Sequence, residues 1–296
     1  MQNNDSASSE FYERLDNSPA AIRSYLQNRG LSAGKRFGQN FMVCPEVRAD
    51  VLAALGPLAG RNLWEIGPGL GAMTAMCLDG GAEVTAFEID RGFVSHLHER
   101  FADAAAFTLV PGDCLKTMPE YPEAAPEYVV GNLPYNLASH IIWYLLERLS
   151  GVQRLVVTVQ KEAADRMLAT DESREFGPLS ILCNLEFEVR RIRTIPGECF
   201  YPRPQVTSTA LVLKRIRGVP ADEKAAILAV ADAAFRARRK TLLNNLGVAL
   251  GDRAEAANRL QRAGVDPSRR AEGLTFDDFR RLSEAFPELG QARISS

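Results

Sequence analysis

The 296-residue sequence has no apolar stretch that approaches the roughly 18 residues required for a membrane-spanning helix. Its first residues, Met1–Asp5, are polar and end in an acid, so they lack the charged and apolar regions of a secretory signal peptide. These absences argue against a membrane protein and against a secreted one. They predict a globular protein of the cytosol.

The sequence is also poor in cysteine and histidine. Its five cysteines are far apart, odd in number and form no C-x-x-C pair, so they predict neither a disulfide framework nor a zinc site, and we expect reduced, mostly buried thiols. The three histidines fit no metal spacing or catalytic triad and are predicted to be packing or surface residues. No metal site is therefore predicted. The positions concerned are Cys44, Cys77, Cys114, Cys183, Cys199, His96, His98 and His140.

The chain lacks a strong excess of charge of either sign, because its formal net charge is −2. This near balance argues against a generic nucleic-acid-binding protein. The charge is unevenly distributed, however: residues 189–246 contain twelve basic and four acidic side chains, a local charge of +8, whereas residues 1–188 carry −10. A polyanionic partner is therefore expected to contact the middle of the chain.

What the sequence does contain is a hydrophobic fraction of 46%, enough for a sizeable core, and a regular alternation of apolar runs with helical patterns. A polar tail is predicted from Met1 to Ser18, followed by a short helix that begins at Pro19 and reaches Gly30. Strands separated by helices predict parallel βαβ units, hence an α/β fold with a doubly wound sheet. The predicted strands are Asn62–Ile66, Glu83–Phe87, Thr108–Val110, Tyr128–Val130 and Leu155–Val159.

The pattern changes towards the C-terminus. Two later β-like runs, Phe187–Ile195 and Ser208–Leu213, are predicted to complete the sheet as a hairpin at its edge. Beyond Gly218 the pattern is helical, and the predicted helices are Asp222–Ala234, Asp252–Ala263 and Thr275–Ala285. We therefore predict an N-terminal tail and short helix at 1–33, a sheet domain at 34–217 and a smaller, all-helical C-terminal domain at 218–296.

A glycine-rich turn directly follows the first predicted strand. The segment Gly67–Gly71 opens a helix, a context in which glycines permit a tight turn and a close approach of the backbone to a ligand. Dinucleotide sites typically use G-x-G-x-x-G to seat a pyrophosphate at the helix N-terminus, whereas the spacing here is G-x-G-x-G. The shorter spacing favours S-adenosylmethionine, which has no phosphate.

Carboxylates follow the next two strands. Glu88 lies twenty-one residues beyond Gly67, where it can accept hydrogen bonds from both ribose hydroxyls. Asp113 follows the third strand, where it can accept from the adenine amino group of the cofactor. Either acid can instead be only a strand or helix cap. Their occurrence at successive strand ends, the edge at which doubly wound sheets bind ligands, favours the cofactor role.

The segment Asn132-Leu133-Pro134-Tyr135 follows an apolar run and suits a flat ring that carries an amino group. The Asn132 side-chain oxygen and the Leu133 carbonyl can accept hydrogen bonds from the two amino hydrogens of adenine, whose nitrogen is a poor nucleophile because its lone pair is delocalised. Pro134 restricts the backbone that aims these acceptors, and Tyr135 offers a stacking face worth roughly 1–3 kcal/mol per base. The alternative is an ordinary turn at the end of a strand.

Five segments together resemble the ribosomal RNA adenine dimethyltransferase family, and the resemblance extends from Ile22 to Phe286. It implies a Rossmann-like S-adenosylmethionine methyltransferase sheet and the transfer of two methyl groups to each of two adjacent adenosines in the 3′-terminal hairpin of 16S rRNA, during biogenesis of the small ribosomal subunit. The implied partner is 16S rRNA within an immature 30S subunit, and the implied enzyme is a cytoplasmic monomer. The segments are Lys35–Phe41, Glu65–Gly69, Asn132–Asn136, Gln160–Glu162 and Phe200–Val206.

The resemblance also assigns site residues. Met42 stands where the family usually has leucine, which is a volume-conserving replacement. Phe200 has an equal alternative role as a core residue beside a proline-rich turn. The expected cofactor residues are Gln39, Asn40, Met42, Gly67, Gly69, Glu88, Asp113 and Asn132. The expected catalytic residues, which orient and stack the adenine, are Asn132, Leu133, Pro134, Tyr135 and Phe200.

A basic stretch within the positively charged segment is a candidate RNA-binding surface. Arg236, Arg238, Arg239 and Lys240 follow Phe235 on a predicted helix and match a basic stretch of the family. A charge run of this kind, taken alone, is more often a solvated helix face. Within an otherwise acidic protein, contact with phosphates is favoured.

Two other functions fit parts of the pattern. A 23S rRNA adenine methylase that confers antibiotic resistance would share the cofactor residues, but Leu133 and the segment Arg238–Thr241 favour the 16S rRNA enzyme. A ribosome-assembly factor that acts mainly by binding would keep its subunit affinity when Asn132 is replaced by alanine. Because the catalytic half is acidic, we also expect a preassembled particle to be a better substrate than free rRNA.

Overall fold

The computed structural model describes residues 2–31, 39–121, 125–171 and 173–294. The chain forms two compact units, of which one comprises Met1–Ala164 with Arg190–Lys214 and the other Asp165–Val189 with Arg215–Ser296. Within the described residues, no helix combines the length and the hydropathy that a membrane crossing requires.

The first unit contains a sheet and the helices that connect its strands. Its helices are α1 (Gln2–Asn17), α2 (Pro19–Asn28), α3 (Pro45–Leu55), α4 (Ala72–Asp79), α5 (Arg91–Arg100), α6 (Cys114–Glu120) and α7 (Ala138–Arg148). Its strands are β1 (Phe41–Met42), β2 (Asn62–Ile66), β3 (Glu83–Glu88), β4 (Phe107–Pro111), β5 (Tyr128–Asn132), β6 (Arg154–Gln160), β7 (Phe187–Ile195), β8 (Phe200–Tyr201) and β9 (Ser208–Arg215), of which β7 and β9 each have one end in the second unit.

Seven of these strands form one sheet in the order β4-β3-β2-β5-β6-β9-β7. The pairs β2–β3, β3–β4, β2–β5 and β5–β6 are parallel, and β9 pairs antiparallel with β6. The order reverses between β2 and β5, and in doubly wound sheets the crevice at such a reversal binds the ligand. The predicted Rossmann-like sheet is therefore confirmed, with β9 and β7 at the edge where two late strands were expected.

The central strands form because their apolar runs are buried on both faces of the sheet. In β2 the residues from Leu63 to Ile66 are all buried, and β5 and β6 are buried almost throughout. Helices then begin at the carboxyl ends of successive strands: Gly71 precedes α4, Asp90 caps α5 by accepting from the Gly92 N–H, and Asp113 caps α6. Because β2, β3 and β4 pair in parallel, these helix starts lie at one edge of the sheet.

The N-terminal segment differs from the prediction. A polar tail was expected from Met1 to Ser18, but the structure has a helix, α1, from Gln2 to Asn17. Its last turn is fixed by tertiary contacts, because Leu15 is 1% exposed and Asp16 pairs with Arg100 at 2.7 Å. A polar helix of this length has little stability in isolation, so α1 depends on packing against the rest of the protein. Its packing partners are distant in the sequence, and the local pattern therefore does not show them.

A disulfide corrects the expectation that all cysteines are reduced. The Sγ atoms of Cys44 and Cys199 are bonded to each other, across a sequence separation of 155 residues. The contact arises because β1 and β8 pair antiparallel, with Met42 opposite Phe200, which brings the flanking cysteines to a Cα–Cα distance of 5.0 Å. Spacing along the chain gives no sign of such a long-range pair. Cys77, Cys114 and Cys183 are free.

The second unit is helical. It contains α9 (Pro178–Glu186), α10 (Ala221–Phe235), α11 (Leu242–Leu250), α12 (Arg253–Arg262), α13 (Phe276–Ala285), α14 (Pro287–Ile294) and most of the intervening chain, whereas α8 (Lys161–Leu168) spans the division between the units. The segment 165–189 belongs to this unit although the sequence predicted a domain that begins at 218.

Non-local contacts attach that segment to the helices. Phe176 meets the Phe235 ring edge-on, with the ring centroids 6.2 Å apart. Glu186, which is buried, accepts from Arg215 at 2.7 Å and from Lys224 at 2.5 Å. Removal of one partner from a buried ion pair typically costs about 3–5 kcal/mol, so this cluster fixes the segment firmly.

Candidate active site

The glycine-rich turn after β2 has the strained backbone that only glycine adopts readily. Gly67, Gly69 and Gly71 have φ angles of 70°, 58° and 82°. A Cβ atom at Gly69 would lie 3.0 Å from the Phe41 ring, whereas the space around the Cβ position of Gly67 is open. The turn thus leaves room beside its backbone at the N-terminus of α4.

Glu88, at the end of β3, is a buried carboxylate directed at this turn. Its Oε2 accepts from the Gly69 N–H at 3.2 Å and its Oε1 accepts from the Asp90 N–H at 2.9 Å. Burial raises the pKa of Glu88 to about 7, and the two backbone N–H groups act against this rise. In its ionised form this carboxylate can accept hydrogen bonds from a pair of ribose hydroxyls.

Asp113, at the end of β4, is half-buried. Its Oδ1 accepts from the Leu115 N–H at 3.1 Å, so it caps α6. A cap was one of the two roles expected for this residue. It also lines the same cavity as Glu88. Capping employs Oδ1, and the carboxylate keeps a second oxygen for a ligand.

Asn132 ends β5 and is bonded to the segment that precedes β1. Its Nδ2 donates to the backbone carbonyl of Asn40 at 2.6 Å. Because the nitrogen is engaged in this way, the side-chain Oδ1 is the end of the amide that can accept from an amino group. A Cβ atom at the preceding Gly131 would lie 2.9 Å from the Ile66 carbonyl, so glycine is required where β5 and β2 approach each other.

The next three residues hold the turn in place. The Leu133 N–H donates to the Thr158 carbonyl at 3.0 Å, and the Leu133 side chain is 1% exposed. The Tyr135 hydroxyl lies 2.6 Å from Ser208 Oγ, a hydrogen bond that orients the ring, and burial raises the pKa of Tyr135. These contacts fix the peptide groups on either side of Pro134.

One cavity collects most of the predicted site. Among the described residues that line it, four are acidic and one is basic, so its charge suits a cationic, phosphate-free ligand better than a pyrophosphate. The predicted residues in its lining are Gln39, Asn40, Met42, Gly67, Gly69, Glu88, Asp113, Asn132 and Pro134. The charged residues in its lining are Asp16, Arg48, Glu65, Glu88 and Asp113.

Three of the predicted cofactor and catalytic residues do not line this cavity. Leu133 and Tyr135 flank it through the contacts given above. Phe200 is 2% exposed and packs in the apolar core with Val47 and Val51. Met42, which lies opposite it on the paired strand, packs against the same core. Of the two roles expected for Phe200, its position fits the core residue.

The charge of the cavity also depends on residues that the sequence did not single out. Glu65, inside β2, accepts from the Thr74 hydroxyl at 2.6 Å, and burial raises its pKa to about 7. Asp16 and Arg48 belong to α1 and α3. Glu65 begins the segment Glu65–Gly69, which carries part of the family resemblance, but no role was predicted for it. The positions of Asp16 and Arg48 depend on tertiary contacts.

The basic stretch is exposed but is not helical. Arg236, Arg238, Arg239 and Lys240 lie in the turn that follows α10, which ends at Phe235, so the prediction of a helix there is wrong. Arg238 donates from Nη2 to the carbonyls of Arg174 and Phe176, both at 3.3 Å. The four cations are therefore exposed on a turn of the second unit, and Arg238 is bonded to the segment before α9.

Comparison with known proteins gives a consistent result. A sequence model described as ribosomal RNA adenine dimethylase matches residues 30–288. Ribosomal RNA small subunit methyltransferase A of Treponema pallidum is 41% identical over 283 residues, which cover 92% of this chain and 98% of that protein. The protein of the same name from Magnetococcus marinus is 36% identical over 270 residues, with 88% and 95% covered.

Solved structures resemble the fold. A dimethyladenosine transferase from Plasmodium falciparum superposes with a TM-score of 0.70 at 22% identity, over 83% of this chain and 97% of that chain. The 23S rRNA methyltransferase ErmE superposes with a TM-score of 0.62, also at 22% identity, over 82% and 98%. At this level of identity the two structures support the fold alone.

Proposed function

The chain belongs to the ribosomal RNA adenine dimethylase family, and from this premise we propose that it dimethylates the exocyclic amino groups of two adjacent adenosines in the 3′-terminal hairpin of 16S rRNA. It is an S-adenosylmethionine-dependent methyltransferase whose substrate class is ribosomal RNA. Curated relatives named small subunit methyltransferase A match nearly all of its length, which favours the small-subunit RNA over 23S rRNA.

The observation that carries the proposal is the orientation of Asn132. With Nδ2 donating to Asn40, Oδ1 accepts one amino hydrogen of the target adenine, and the Leu133 carbonyl accepts the other. These two acceptors return electron density to the nitrogen and aim its lone pair, which is the form of positioning that raises rates through effective concentration. Tyr135, fixed by Ser208, offers the stacking face.

The cofactor supplies an electrophilic methyl group on a sulfonium. The residues proposed to hold it are those that line the cavity: Glu88 for the ribose, Asp113 for the adenine, and the backbone of the turn at Gly67 and Gly69. The acidic lining is compatible with the positive sulfonium. This chain needs no dedicated base, because an alkylated amino nitrogen is acidic and releases its proton to water.

The proposed physiological substrate is 16S rRNA within an immature 30S particle, bound by a monomer in the cytoplasm without a metal ion. The turn of Arg236, Arg238, Arg239 and Lys240 is the proposed phosphate-binding surface. The acidic first 188 residues oppose binding of free RNA, so a particle that presents the hairpin should be preferred. Equal turnover of protein-free 16S rRNA and immature 30S particles would contradict this preference.

The proposal is tested by transfer of labelled methyl groups from S-adenosylmethionine to undermethylated 30S particles and, in parallel, to protein-free 23S rRNA. Nucleoside analysis should find dimethyladenosine in the 30S reaction alone. Label in 23S rRNA alone would assign the chain to the 23S methylases. Particle binding without label in either RNA would indicate an assembly factor that acts by binding.

A further inference from the structure

The end of the first helix and the start of the second form part of the wall of the cofactor cavity. Leu15 and Asp16 of α1 and Ile22 of α2 line it, and Leu15 and Ile22 are each 1% exposed. Their apolar cluster also contains Leu70 of the glycine-rich turn and Val43, which follows β1. One cluster therefore joins the two helices to both segments that approach the cofactor.

Arg48 bonds the end of α1 to β1. It lies on α3 and is 5% exposed; its Nη1 donates to the Met42 carbonyl at 2.6 Å and to the Asp16 carbonyl at 3.0 Å, and its Nη2 donates to the Asn17 side-chain oxygen. The last carbonyls of a helix lack intrahelical donors and carry the negative end of its dipole, so a guanidinium is favourable there. The same cation thus holds both a cavity wall and a strand that contributes to the cavity.

A second set of contacts bonds the helices to the glycine-rich turn. Arg100 forms a bidentate pair with the Asp16 carboxylate at 2.7 and 2.9 Å and also donates to the Leu70 carbonyl. His96 donates from Nε2 to the same carbonyl at 3.1 Å and accepts from the Tyr25 hydroxyl at Nδ1, at 2.6 Å. The turn and the helices are therefore connected through side chains of α5.

We propose that Arg48 is a positioning residue of the cofactor site, which keeps α1 and α2 closed over the cavity by bonding α1 to the strand that carries Met42. The inference rests on the assignment of S-adenosylmethionine to this cavity. Arg48 also lines the cavity, but its Nη1 is bonded to the Met42 and Asp16 carbonyls. It acts by raising the population of the arrangement in which Leu15 and Ile22 complete the wall. For a ligand that binds only the closed arrangement, the apparent Kd equals the intrinsic Kd divided by the closed fraction of the free protein.

The test compares Arg48→Met, Arg48→Lys and a matched control, Arg61→Met, in the full chain. Arg61 forms an exposed ion pair with Glu127 at the opposite end of β2 and lies outside the cavity. If Arg48→Met lowers the closed fraction to about a tenth, its apparent Kd for S-adenosylhomocysteine, measured by calorimetry, rises about tenfold. Its KM for S-adenosylmethionine should rise while kcat at saturating cofactor is unchanged, Arg48→Lys should recover part of the affinity, and Arg61→Met should match the wild type.

Hydrogen exchange of the wild-type protein supplies an independent readout. Amides of residues 10–17 should gain protection in the wild type when S-adenosylhomocysteine binds, and in the absence of ligand they should exchange faster in Arg48→Met than in the wild type. A folded Arg48→Met variant with wild-type affinity would overturn the proposal. So would the absence of cofactor-dependent protection in the wild type, which decides the matter even if the methionine variant fails to fold. Failure of the wild type to bind the cofactor would instead refute the assignment of the cavity.

Discussion

The side-chain amide of Asn132 donates to the backbone carbonyl of Asn40 across 92 positions of the sequence. This hydrogen bond joins the end of β5, where the target adenine is proposed to bind, to the segment before β1, where the cofactor is proposed to bind. It also determines which end of the amide can act as an acceptor. The proposed methyl donor and methyl acceptor sites are thus joined by one side chain.

We expect Asn132→Ala to lower kcat for methyl transfer by about 100-fold or more, because it removes an acceptor that acts on the reacting nitrogen. Binding to undermethylated 30S particles should be retained, since the proposed phosphate contacts lie elsewhere. Parallel assays of label transfer and of particle binding by filtration separate the two effects. Asn258→Ala, an exposed position on α12, serves as the control. Full activity of Asn132→Ala would exclude the proposed role.

Glu88→Gln is expected to stabilise the protein in the absence of cofactor. Burial raises the pKa of Glu88 from 4.5 to about 7. The contribution of this carboxyl to the free energy of unfolding is therefore fully present below pH 4.5, where the group is neutral in both states, and is lost as the pH rises through about 7. The glutamine variant avoids this loss, so thermal unfolding should show a higher melting temperature than that of the wild type above pH 7 and a similar one near pH 4.5. An equal shift at both pH values would contradict the burial argument.

Cofactor affinity should depend on pH in the opposite direction. The ionised carboxylate is the acceptor for the ribose hydroxyls, so wild-type affinity for S-adenosylhomocysteine should increase as the pH rises through about 7. Glu88→Gln should bind more weakly and without this dependence. Glu83→Gln, at the exposed start of the same strand, is the matched control and should titrate like the wild type. Calorimetry across this pH range makes the comparison.

The double variant Arg239→Ala/Lys240→Ala should weaken RNA binding and reduce the slope of log affinity against log salt by about 2, one for each phosphate contact removed. Arg238 is left in place because it also donates to the Arg174 and Phe176 carbonyls, so its loss would alter the turn itself. Arg253→Ala/Arg270→Ala removes the same charge from exposed positions elsewhere in the second unit. An unchanged salt slope in the first variant would show that the turn does not contact phosphates.

The bond between Cys44 and Cys199 predicts a thiol count. Protein isolated without reductant and then denatured should react at three thiols, those of Cys77, Cys114 and Cys183, and at five after reduction. Reduction should also lower the melting temperature, because closure of so long a loop stabilises a fold by up to about 5 kcal/mol in the loop-entropy description. Cys114→Ser should lower both counts by one. Five reactive thiols before reduction would refute the bond.

Local patterns account for the parts of the fold that the sequence predicted. The run Asn62–Ile66 forms β2 with the predicted bounds, and the glycine turn after it has the positive φ angles that its spacing required. Asp113 caps α6 as a short-range signal allows. In each case the determinant lies within a few residues of the feature that it determines.

The features that were missed depend on residues far apart in the sequence. Helix α1 is held by Arg48 and Arg100, and the Cys44–Cys199 bond joins two short strands separated by most of the first unit. Phe200 is buried because β8 pairs with β1. The helix expected at Arg236–Lys240 is replaced by a turn in which Arg238 bonds to the Phe176 carbonyl. Periodicity and spacing carry no information on such partners.

The proposed activity is tested most directly by the mass of the 3′-terminal hairpin fragment of 16S rRNA after undermethylated 30S particles have reacted with the protein and S-adenosylmethionine. The fragment should gain four methyl groups, two on each of two adjacent adenosines, and Asn132→Ala should add none in the time in which the wild type completes the reaction. Methyl groups at another site of 16S rRNA, or in 23S rRNA alone, would contradict the proposed activity.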